Sequence, residues 1–156
     1  EIVFWTLGAL WGVTWSDVVY LLPLVVPGLL VLFLMRWRLN VLSLPEETAF
    51  SIGTAPARER SLILAAAVAA VAAVVSVAGV VGWVGLIVPH VSRRLVGADA
   101  QKALPVSMLL GGTFTLLCDD IARAIIAGEI PLGILTALFG ATGFLVLMIR
   151  RTPQLR

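Results

Sequence analysis

The chain has 156 residues, of which 60% are hydrophobic and 13% charged, with a mean hydropathy of +1.07. Charged residues make up about 25% of an average soluble domain, so this composition excludes a water-soluble protein and describes an integral membrane protein. The net charge of +2 arises from basic residues in small clusters between apolar runs, which is the pattern of membrane topology signals and not of a nucleic-acid surface.

Glu1 opens the chain with no basic segment followed by a short apolar run, so no signal peptide is visible and the sequence reads as part of a longer one. Residues 1–16 are apolar, are broken by Gly8 and Gly12, and carry Trp5, Trp11 and Trp15. Tryptophan favours the membrane interface, so this stretch reads as the end of a span and an interfacial turn. Residues 18–35 hold no charge and suffice for a first complete crossing, with bends expected at Pro23 and Pro27.

The polar connection 36–60 contains a helix start. Ser43 and Glu46 have the spacing of a capping box, in which hydroxyl and carboxylate each satisfy an open backbone N–H of the first turn. Gly53 supplies a stop. The spacing therefore predicts a short helix over about 44–52, with Leu44, Ala49, Phe50 and Ile52 apolar and Glu46, Glu47 and Ser51 polar. Pro56 suits the first turn of a second helix that enters the membrane after Arg60.

The uncharged run from Ser61 to Ser92 would reach ~48 Å as one helix, well beyond the ~30 Å of hydrocarbon that one crossing must cover. Gly79, Gly82 and Gly85 at spacing three, followed by Pro89, mark where it can break and turn back. Charge chooses between the two cuts. With one crossing the eleven basic residues divide five against six; with a break near Gly82, ten fall on one side and only Arg123 on the other. Lys/Arg bias orients membrane proteins, so the second cut is preferred. The spans are then about 18–35, 61–82, 84–96, 104–122 and 131–149, with the loop 36–60 cytoplasmic. The limb 84–96 is too short to span unaided and needs shielding by its neighbours. Ala65, Ala66, Ala67, Ala69, Ala70, Ala72 and Ala73 make the preceding helix small-sided, as Gly111 and Gly112 do the later one, which favours close helix packing.

Few residues suggest chemistry. Cys118 is the only cysteine, and His90 has no cysteine, second histidine or acid at ligand spacing, so a structural hydrogen-bonding role and no metal are expected. Asp119 and Asp120 could share a proton, but adjacent helical positions point about 100° apart.

At Gly82-Trp83-Val84-Gly85-Leu86-Ile87-Val88-Pro89-His90-Val91-Ser92-Arg93 the sequence resembles the permease subunits of type II ABC importers, the FecCD-type family that moves iron–siderophores, haem and cobalamin. Trp83 stands where that family usually has Phe. Leu39-Asn40-Val41-Leu42-Ser43-Leu44, with Glu46-Glu47 and Ile52-Gly53, resembles its cytoplasmic coupling segment, with Pro45 where Gly is common. Asp119 and Arg123 match a D-x-x-x-R pattern, and Glu129-Ile130-Pro131-Leu132-Gly133-Ile134 with Thr136-Ala137 and Gly140 matches the start of the last span. Phe4-Trp5 and Leu7-Gly8 resemble the end of the fifth span. The loop from Arg123 to Glu129 is one residue shorter than usual, and Thr142 replaces a frequent Pro.

The resemblance implies an all-α polytopic membrane helical bundle, the C-terminal half of a type II ABC importer permease. It implies that Ser43, Leu44, Glu46, Glu47, Phe50 and Gly53 form a coupling helix for a cytoplasmic ATPase. Arg123 would pair with a carboxylate on an extracytoplasmic substrate-binding protein. Glu129, Pro131, Gly133 and Thr136 would belong to a gating segment, and Gly82, Gly85, Pro89, His90 and Arg93 to a structural motif. The implied partners are a second permease subunit, two ATP-binding subunits, the binding protein and membrane lipid, in a bacterial or archaeal inner membrane, without cofactor, metal, bond chemistry or nucleic acid. Two other classes are a proton-coupled secondary transporter using Asp119, Asp120 or Glu129 and an intramembrane aspartyl protease using Asp119 and Asp120.

Overall fold

The computed structural model describes residues 6–10, 12–125 and 131–149. Among them, all regular structure is helical: α1 (Trp15–Leu34), α2 (Arg36–Leu42), α3 (Glu46–Ser51), α4 (Pro56–Ala78), α5 (Val84–Val96), α6 (Ala100–Ile125) and α7 (Leu132–Ile149). Helices α1, α4, α6 and α7 are long and apolar enough to cross a membrane, with mean hydropathies from 1.3 to 2.5. The chain is thus a multi-pass membrane protein. Its large apolar side chains face outward, as a lipid solvent allows: Leu24, Leu64, Val68, Leu109, Leu116 and Leu145 are all exposed. The 13 residues of α5 reach only ~20 Å, and this helix packs against both α6 and α7.

Local chemistry explains most helix ends. At the start of α1 the backbone N–H and the hydroxyl of Thr14 both donate to Asp17 Oδ2, at 2.9 and 2.7 Å. Pro56 occupies the first turn of α4, where its missing N–H leaves no bond unmade. Gly79 ends α4 with φ +71°, in the left-handed region that glycine enters without steric penalty. The break between α4 and α5 thus spans residues 79–83. Trp83, at φ +66°, is the one non-glycine residue with positive φ among those described.

The capping box expected at Ser43 and Glu46 does not form. Pro45, extended at φ −52° and ψ 142°, takes the cap position of α3, and the Ser43 hydroxyl turns back to donate to the Asn40 carbonyl at 2.6 Å. Proline fixes its own φ and pushes the residue before it out of helical geometry, so Ser43 cannot reach the first turn of α3.

Small residues set the helix contacts. A Cβ on Gly28 of α1 would lie 2.9 Å from the Ala66 carbonyl oxygen and 3.0 Å from the Ala70 Cβ of α4, so these helices meet almost backbone to backbone. Ala70 and Ala73 are buried there. A Cβ on Gly140 of α7 would lie 2.6 Å from that of Trp83, and Gly143 accommodates the end of the Ile87 side chain. Gly111 takes a loose contact from Val88, whereas Gly112 borders open space. The core gathers Cys118 and Ala122 of α6 with Leu132 and Leu135 of α7, flanked by Leu10, Val81, Phe114 and Ile121.

Different atoms join the two ends of the bundle. At one end Asn40 of α2 bonds to Asp99 before α6, Arg38 of α2 to Glu59 of α4, and Arg94 of α5 to the Leu147 carbonyl of α7. At the other end main-chain atoms meet: Ala9 N–H donates to Ala78 O at 3.0 Å, and Gly133 N–H to Gly8 O at 3.3 Å.

Candidate functional site

The short helices α2 and α3 form the connection between α1 and α4, and residues 43–53 are exposed throughout except for Ala49. Helix α3 buries Ala49 and turns Phe50, Glu46 and Glu47 outward, with Phe50 73% exposed. Pro45, Glu46, Glu47 and Phe50 line a shallow depression there, and Leu44 and Ile52 flank it, both exposed. An exposed apolar cluster of this kind marks a surface that meets a protein or the bilayer. The turn after α3 is closed locally: Gly53 adopts φ +82°, its N–H donates to Phe50 O at 2.9 Å, and the Thr54 hydroxyl donates to the Ala49 carbonyl. Ser43, Leu44, Glu46, Glu47, Phe50 and Gly53 are all exposed, and of these Glu46, Glu47 and Phe50 share the depression.

Helix α2 anchors that surface. Arg38 Nη1 lies 2.6 Å from Glu59 Oε1, with side chains 31% and 16% exposed, and Glu59 Oε2 is buried without a partner. The Arg38 guanidinium also lies over the Trp37 ring, 4.3 Å from its centroid. Asn40 makes two bonds to the start of α6: its Nδ2 donates to Asp99 Oδ1 at 2.7 Å, and its Oδ1 accepts from Ala100 N–H at 2.8 Å. Asp99 Oδ1 also accepts from Gln101 N–H at 2.9 Å, capping α6. These hydrogen bonds, that of Asn40 first, hold the Asp99 carboxyl below its ordinary range. Asn40 is 59 residues from Asp99, so no local spacing in the sequence signals the pair.

Gly82 in the break and Gly85 on α5 face open space, and Pro89 sits within the helix. His90 Nδ1 lies 2.8 Å from the Leu86 carbonyl, which can only accept, so this nitrogen carries the proton; the ring meets Phe144 edge-on at 5.9 Å. His90, Arg93 and Arg94 line a cleft of about 460 Å³ with Phe144, Leu147 and Met148. Neither Gly82 nor Gly85 reaches it.

At the far end Arg123 Nε donates to Asp119 Oδ2 at 2.8 Å, one helical turn away, and the Arg123 side chain stays 57% exposed. Pro131, Leu132 and Thr136 are buried, and the Thr136 hydroxyl donates to Gly133 O at 3.1 Å. Gly133 lies directly against the Leu7 carbonyl, where no side chain fits. Glu129 lies outside the described residues. No group of three or more His, Cys, Asp or Glu occurs that could hold a metal ion among the described residues.

The chain is 47% identical over 146 residues to the cobalamin import system permease protein BtuC of Halobacterium salinarum, covering 94% of this chain and 39% of that protein. It is 44% identical over 153 residues to the molybdate import system permease protein MolB of Haemophilus influenzae, covering 96% of this chain and 44% of that one. A solved chain described as an inward-facing conformation of a metal-chelate type ABC transporter superposes with a TM-score of 0.92 at 42% identity, over 96% of this chain and 48% of that one. The chain therefore spans a little under half the length of these relatives. The model of the FecCD transport family matches residues 1–150, and the chain belongs to that family.

Proposed function

We propose that the protein containing this chain is the membrane-spanning subunit of an ATP-driven importer of iron–siderophore, haem or cobalamin-type chelates, and that α2 and α3 dock on its cytoplasmic ATPase. One observation carries the docking surface: α3 holds Glu46, Glu47 and Phe50 outward over the buried Ala49, on a base that Arg38 and Asn40 fix to the spans. Charge supports its side. Arg36, Arg38, Arg58, Arg60, Arg93, Arg94 and Lys102 cluster around the end where Asn40 meets Asp99, as a cytoplasmic face requires.

Relatives named for cargoes as unlike as molybdate and cobalamin match the same helices at 44% and 47% identity. That associates these helices with machinery that different cargoes share. The permease would pair with a second permease subunit and receive its chelate from an extracytoplasmic binding protein docked near Arg123. ATP hydrolysis would drive the alternation of access, and Pro131, Gly133 and Thr136 would support the outer gate. The permease itself makes and breaks no bonds and needs no cofactor. Asp119 is engaged by Arg123, which disfavours the proton-sharing pair with Asp120 that an aspartyl protease requires.

Glu47→Arg and Phe50→Asp are expected to abolish co-purification of the ATPase with the permease while membrane insertion is retained. Unchanged co-purification of both variants would sink the reading.

A further inference from the structure

Helices α1 and α4 adjoin the α2–α3 loop in the chain, so a push on that loop reaches them through the backbone. Helix α6 has no such connection, yet it must respond if the bundle is to change shape as a whole. Its described polar link to the loop is Asn40, whose amide both donates to Asp99 Oδ1 and accepts from Ala100 N–H. Two bonds from one planar amide fix orientation as well as distance. The links to α4 differ in kind: Arg38 meets Glu59 through one nitrogen and one oxygen with Glu59 Oε2 left over, and Arg60 Nη2 donates to the Leu42 carbonyl at 3.4 Å.

The α6 end of this link is well anchored. Asp99 caps α6 through Gln101 N–H, and the buried Ser92 hydroxyl of α5 donates to Ala103 O at 2.7 Å, so α5 is bound to the same first turn. A displacement delivered to residues 99 and 100 therefore reaches α5 and α6 together.

We propose that Asn40 is the positioning residue that makes α6, and α5 with it, move as one body with the coupling surface. The inference rests on the docking of α2 and α3 on an ATPase proposed above.

The experiment uses the complete permease assembled with its ATPase in lipid nanodiscs, with spin labels at Ser51 and Gln101 in a Cys118→Ser background. The label-to-label distance is measured without nucleotide and with ATP trapped by vanadate. In the otherwise unaltered protein, one narrow distance common to both states is expected. Asn40→Asp sets two carboxylates against each other and should broaden or shift that distance by several ångströms, and lower uptake per ATP hydrolysed. Asp99→Asn alone keeps an acceptor for Asn40 and for Gln101 N–H, and should behave like the parent. The double variant Asn40→Asp with Asp99→Asn restores one donor and one acceptor across the pair, and should recover both distance and coupling. A purely structural role would lower uptake and hydrolysis in proportion and leave their ratio unmoved. A distance that changes between the two nucleotide states of the parent, an unaltered distance in Asn40→Asp, or an unmoved ratio overturns the inference while leaving the docking intact. Failure of the ATPase to assemble on the parent overturns both.

Discussion

Gly140 of α7 lies directly beneath the Cβ of Trp83, the residue that opens α5 in a left-handed backbone conformation. The pairing joins the strained end of the break in the long apolar run to the last helix. A non-glycine residue held at positive φ costs about 1–3 kcal/mol and persists only where its surroundings over-determine it.

Gly140→Val is expected to destabilise the protein by about 1–3 kcal/mol, because the new Cβ would lie 2.6 Å from that of Trp83 and neither helix can retreat without losing its own packing. Thermal unfolding in detergent measures it, with Gly112→Ala, at a position that borders open space, as the near-neutral comparison.

The two halves of the Arg38–Glu59 pair are expected to respond unequally. Arg38→Gln leaves the Glu59 carboxylate 16% exposed with neither oxygen answered by a charge, and should cost about 1–3 kcal/mol. Glu59→Gln leaves Arg38 at 31% exposure and still over the Trp37 ring, and should cost less. A double-mutant cycle of melting temperatures decides the order, and equal losses would contradict the asymmetry.

At the opposite end, Arg123→Glu is expected to weaken docking of the binding protein by ~10-fold or more, equivalent to about 1.4 kcal/mol. Asp119→Asn removes the partner 2.8 Å away and leaves Arg123 in place, so docking should be retained or tightened. Binding of the purified binding protein to permease nanodiscs tests both; loss in Asp119→Asn would show that the local pair, and not the exposed guanidinium, is what matters.

Asp99 gives a pH expectation. Its folded pKa is lowered from the ordinary 3.8, chiefly by the Asn40 amide and then by Gln101 N–H. A lowered folded pKa contributes stability that is present above the unfolded value and lost as pH falls through the folded one. The distance between labels at Ser51 and Gln101 should therefore be constant from about pH 8 to about pH 5 and change only below the ordinary carboxylate value. Lys102 is the charged neighbour on the same side, and it reinforces the direction. A change near neutral pH would exclude Asp99 as its source.

The sequence displays the helical periods, the break and the exposed face of α3 because these depend on neighbours along the chain. Three glycines and the charge count suffice to divide the run from Ser61 to Ser92, and Pro56 marks the start of α4 by its missing N–H. Ser43 and Glu46 show the limit of the same reasoning: their spacing is right, but Pro45 between them imposes an extended backbone and takes the cap. Asn40 and Asp99, 59 residues apart, are two ordinary polar residues until the fold brings them together. The positive φ of Trp83 is likewise a tertiary effect, since an isolated tryptophan would not adopt it.

The two ends of the bundle are fastened by different classes of atom, and they differ in how substitution can alter them. Main-chain bonds such as Ala9 to Ala78 and Gly133 to Gly8 survive any change of side chain that fits, so these bonds are disturbed through bulk, at positions such as Gly8 and Gly133. The fastenings of Arg38, Asn40, Ser92 and Asp99 are made by side chains, and each can be cut by a single codon change. Among the described residues, mechanical stiffness is thus adjustable by point mutation at the end where α2 meets α6, whereas the main-chain bonds opposite respond to bulk.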